Sequence, residues 1–74
     1  MTKDTHVVEA HHAAAQAHEN TAQSHRTAAE NCSKGNHEGC EHHAKAALDL
    51  SAKAHAASTA AHEKSEKPVA VGAK

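Results

Sequence analysis

Phenylalanine, tyrosine, tryptophan and isoleucine are all missing from this chain. Without aromatic rings it has nothing to stack on nucleic-acid bases. Its net charge of −1, with acids and bases interspersed, gives no field that draws a polyanion. A nucleic-acid partner is therefore not expected. Large apolar side chains are scarce as well: nineteen residues are alanine, against four valines, two leucines and one methionine. No apolar run approaches the ~20 residues of a membrane span. The opening "MTKDTHVVEAHH" has neither the apolar centre nor the cleavage pattern of a secretion leader. No membrane association is expected, and the location expected is cytoplasmic, with the periplasm as the alternative for a chain whose leader has been removed. The two cysteines fit either compartment, as a bridge or as a reduced pair.

These shortages also bear on stability. At 74 residues the chain makes one small domain. Burial of an alanine methyl contributes roughly 0.8 kcal/mol, against about 1 to 2 kcal/mol of backbone entropy for each ordered residue. Alanine packing alone leaves such a chain marginal, so metal, self-association or both are expected to help.

Proline is nearly absent too, with Pro68 alone, and the residues that remain favour helix. Alanine, glutamate, glutamine, lysine and arginine dominate from about residue 4 to 33 and again from 37 to 66. Between these spans Gly35 can take the left-handed conformation that ends a helix, and Asn36 is a good N-cap for the next. The expected fold is all-α, an antiparallel two-helix hairpin with a short glycine turn over 34–36. Pro68 should stop the second helix and leave 68–74 as a disordered tail.

Within the first helix His11, His18, His25 and Cys32 stand seven residues apart. Their row is flanked by Val8, Ala15, Ala22 and Ala29 on one side and by Val7, Ala14, Thr21 and Ala28 on the other, so the sequence suggests a seam centred on histidine. An antiparallel hairpin centred near Asn36 pairs residues whose numbers sum to about 72. That sum sets His11 against His62, His18 against His55 and Cys32 against Cys40. Rungs seven residues apart lie roughly 10.5 Å apart along the axis, so each would be a separate site. An ion there takes one imidazole from each helix and fills its other positions with water, a carboxylate or a second hairpin. Copper, zinc and nickel all accept such donors.

At the turn, Cys40 and His43 share one helical face, Cys32 arrives from the other helix, and His37 can complete four ligands. The same proximity suits a Cys32–Cys40 disulfide, and the sequence leaves both open. His6, His12 and His42 lie in largely polar rows and read as solvated. A rod without a large core offers no concave, water-excluding pocket, so catalysis is not expected.

The stretch "GNHEGCEHHAKAALDLSAKAHAA", preceded by "HRTAAENCSKGN", resembles the small His-rich, Ala-rich helical metal-binding proteins of bacteria, the small metal-binding protein type. The resemblance implies binding of several divalent ions (copper, nickel or zinc) for buffering or tolerance, carried here by His11, His18, His25, His55 and His62. Those proteins form a four-helix bundle, and a hairpin can reach that arrangement by dimerising. Metal ions and a homodimer are the expected partners. The competing expectation is a non-metal interaction or stress-related hairpin, stapled by Cys32–Cys40, whose alanine face docks another helix.

Overall fold

The computed structural model describes residues 5–72, and side chains from 5 to 66. The chain is a helical hairpin of α1 (Thr5–Ser33) and α2 (His37–Gly72), packed along their length into a slab of 58 × 19 × 12 Å. The all-α hairpin is as the composition leads one to expect. Among the described residues no helix is long and apolar enough to cross a membrane.

The reversal is built by hydrogen bonds that cap both helices. Gly35 sits at φ +81°, the left-handed region that costs a residue with a Cβ. Its N–H donates to Cys32 O at 3.1 Å, and Asn36 N–H donates to Asn31 O at 3.0 Å, which together satisfy two of the last carbonyls of α1. Asn36 then caps α2, its Oδ1 accepting from Gly39 N–H at 3.1 Å while its backbone carbonyl accepts from Cys40 N–H at 2.8 Å. The Asn36 amide also donates to Asn31 Oδ1 at 2.9 Å, and Asn31 in turn donates to Thr27 O at 2.8 Å. A Cβ on residue 39 would lie 2.5 Å from Asn31 Oδ1 and 2.6 Å from Asn36 Nδ2, so glycine leaves room for this clamp.

α2 continues through Pro68 to Gly72, where a stop at Pro68 and a tail over 68–74 were expected. Proline fixes φ near the helical value, so its cost in a helix is a lost hydrogen bond and crowding of the preceding turn rather than a forbidden backbone conformation. Residues 73–74 lie outside the described residues.

The buried seam consists of Ala14, Thr21 and Ala28 on α1 and Ala47, Ala54 and Ala61 on α2. These residues recur every seven positions in both helices; half-buried Val7 continues the α1 row, and half-buried Ala10, Ala17, Ser24 and Asn31 stand three residues on from it. Thr21 buries its hydroxyl by donating to Ala17 O at 2.9 Å. The histidine row is therefore not the centre of the seam. His11, His18 and His25 are exposed, one row round from the alanines. Two costs favour this arrangement. Alanine lets the backbones approach closely, whereas three imidazoles at the centre would hold the helices apart and lose water without gaining partners.

Candidate functional site

Displacement of the histidine row by one position changes which residues it meets. His11 Nε2 lies 2.7 Å from Ser65 Oγ and His18 Nε2 lies 2.6 Å from Ser58 Oγ, both across the hairpin. These pairs have residue numbers that sum to 76 rather than 72. The same sum sets His25 opposite Ser51. The pairings His11 with His62 and His18 with His55 are thus replaced by histidine–serine rungs, because a flanking row on α1 faces the flanking row of α2. Ser58 and Ser65 stand three residues beyond His55 and His62, on the side nearer the seam.

At the first rung the proton positions follow from the partners. The Ser65 hydroxyl donates its one proton to Ala61 O at 2.9 Å, so the His11 contact has to be donated by Nε2–H. An ion seeking Nε2 must displace the serine.

His55 and His62 are exposed one row beyond the serines. Helical geometry therefore collects His11, His18, His25, His55 and His62 on one broad face of the slab, separated by the serine row. The two exposed large apolar residues, Val8 and Leu48, occupy its outer rows. Glu41 is the one charged residue in those rows. His62 Nε2 lies 3.3 Å from Glu66 Oε2 on the next turn of α2, an exposed pair that brings a carboxylate to the face. His6 and His12 project elsewhere on α1, and His42 stacks edge-on against His43 with ring centroids 5.1 Å apart.

At the turn Cys32 and Cys40 are joined as a disulfide, with Cα atoms 4.8 Å apart. Of the two readings left open by the sequence, the bridged one is adopted, and in this oxidised form neither cysteine supplies a thiolate ligand. His43 is half-buried one turn after Cys40, and His37 is exposed at the first position of α2. Among the described residues no three His, Cys, Asp or Glu side chains form a group that could hold a metal ion. The face brings imidazoles together with serines and with one carboxylate, not with one another in threes.

Ser51, Ser58 and Ser65 were not anticipated, although their seven-residue spacing matches that of the row they meet. Glu66 was likewise missed, and its signal is the four-residue step from His62. Comparison with models of known protein families, with curated proteins and with solved structures finds no match to this chain.

Proposed function

We infer that this protein binds divalent transition metal ions, copper, zinc or nickel, through the histidines of its broad face, and that it buffers or sequesters them rather than transforming a substrate. The observation that carries this reading is the gathering of five exposed histidines from two helices onto one nearly uncharged face. Random solvated histidines would be spread around both helices. The resemblance to small His-rich helical metal-binding proteins agrees with it. A single hairpin supplies too few converging donors for a closed site, so the remaining positions fall to water, to Glu66 beside His62, or to a second copy docked on the same face. Such sites exchange their metal readily, which suits buffering.

The disulfide and the exposure of Val8 (50%) and Leu48 (68%) favour a second reading, a stapled hairpin whose Ala/His face docks another helix without metal. The disulfide also supports an oxidising compartment such as the periplasm over the cytoplasm.

Calorimetric titration of copper, zinc or nickel into the oxidised protein separates the two. The metal reading expects binding tighter than millimolar. It expects that binding to fall at least tenfold when His11, His18, His25, His55 and His62 become alanine, and to persist when His6, His12 and His42 do. Absence of binding, or equal loss in both variants, would leave the interaction hairpin standing.

A further inference from the structure

We propose that the Cys32–Cys40 bridge is the closed state of a second, redox-gated metal site, which on reduction holds one soft or borderline ion such as Zn(II) through Cys32, Cys40 and His43. The proposal shares its ligand class with the metal-binding reading of the broad face but uses none of the same residues.

The two sulfurs are brought together by more than their own bond. Gly35 N–H to Cys32 O, Asn36 N–H to Asn31 O and the Asn36–Asn31 amide contact tie the reversal to the end of α1, and the Asn36 cap on Gly39 ties it to the start of α2, all without involving sulfur. After reduction this clamp keeps the Cα atoms near their 4.8 Å separation. Two thiolates bound tetrahedrally at ~2.3 Å from zinc sit roughly 3.8 Å apart. Side-chain rotation from the bridged position reaches that spacing without moving the backbone.

The third donor follows from helix geometry. Side chains tilt toward the helix N-terminus, so His43, three residues after Cys40, leans back over it, whereas His37, three residues before, leans away. His43 is half-buried beside the seam, and the fourth position opens to water past exposed Cys32.

The gating step balances with a small dithiol as reductant. Its thiolate attacks the exposed Cys32 sulfur, the Cys32–Cys40 bond breaks, and Cys40 leaves as thiolate. Cys40 lies one turn inside α2, where the helix dipole favours negative charge. The reductant's second thiol then displaces Cys32, forming the reductant's own disulfide. Two electrons and two protons pass to the cysteines, and the protons are released when zinc binds.

The test compares oxidised full-length protein with protein held reduced by a phosphine, at low temperature, titrated with Zn(II) or with Co(II) as a spectroscopic probe. The expected result is one additional ion per chain in the reduced form. With Co(II) it should show thiolate charge-transfer absorption in the near ultraviolet, a window left clear by the absence of aromatic residues. The extra ion should vanish in the Cys32→Ser/Cys40→Ser variant, weaken at least tenfold in His43→Ala, and persist when the five histidines of the broad face are alanine. If the oxidised chain binds nothing and the reduced chain binds one, the face reading fails and this one stands. Equal stoichiometry in the two redox states overturns the proposal, as does binding indifferent to His43→Ala. Should reduction melt the helices, recovery of the helical circular-dichroism signal on adding Zn(II) supports it, and failure to recover overturns it.

Discussion

Removing the bridge by Cys32→Ser/Cys40→Ser should lower stability by an amount calculable from the loop it closes. The cysteines are eight positions apart and enclose nine residues. Loop-closure entropy for nine residues corresponds to about 2.6 kcal/mol at 25 °C. For a hairpin whose buried residues are five alanines and one threonine, that is a large share of the total. At roughly 4 to 8 °C per kcal/mol for a domain of this size, the midpoint of thermal unfolding should fall by about 10 to 20 °C. Melting followed by circular dichroism at the helical band, on metal-free wild type and variant at equal concentration, measures it. Repeating the melt at tenfold dilution excludes a contribution from association, which would make the midpoint depend on concentration. A shift of less than about 3 °C, below the smallest this scaling allows for one kcal/mol, would refute the loop argument. It would mean that the capped turn already restricts the unfolded chain as tightly as the bond does.

Further outcomes follow from the same geometry. Gly35→Ala puts a Cβ at φ +81° and should destabilise by about 1 to 2 kcal/mol in denaturant titration, with Gly35→Asn milder. Ala54→Leu forces three extra carbons into a fully buried seam position and should cost about 1 to 3 kcal/mol, whereas the same change at exposed Ala56 should be nearly neutral. If both leucine variants melt alike, the seam is misplaced. Metal bound by the broad face should be released on acidification, because imidazole ligates only as the free base. Retention at pH 5 in equilibrium dialysis would assign the ion to carboxylates.

The helices and their turn were legible in the sequence because each rests on local rules. Helix-forming composition runs unbroken to Ser33 and resumes at His37, and Gly35 with Asn36 supplies the capping chemistry that reverses the chain. The centre of the seam was not legible. Three rows around α1 have suitably small residues, and the histidine row flanked by two of them has the same seven-residue spacing. The choice among the rows depends on how closely two backbones can approach, a property of both helices together. Alanine at 47, 54 and 61 lies opposite Ala14, Thr21 and Ala28, and that pairing outweighs anything visible on α1 alone. With the seam moved by one row, the rung arithmetic shifted from 72 to 76 and serines took the places assigned to histidines. The Cys32–Cys40 proximity survived because it is set by the turn.

The seven-residue recurrence of alanine, histidine and serine along both helices works like two rulers with identical graduations. Sliding one helix past the other by a full repeat, roughly 10.5 Å, would set alanine against alanine and His11 against Ser58 as comfortably as before. Little in so smooth an interface tells one alignment from the next, since Thr21 is the one branched side chain among the buried seam residues and alanine has no individual shape to match. The stop that makes the scale read one value is the bridged, capped reversal at its end. Two such helices cut free of each other, or exchanged between neighbouring molecules, would have several near-equivalent ways to pair, and the covalent loop reduces them to one.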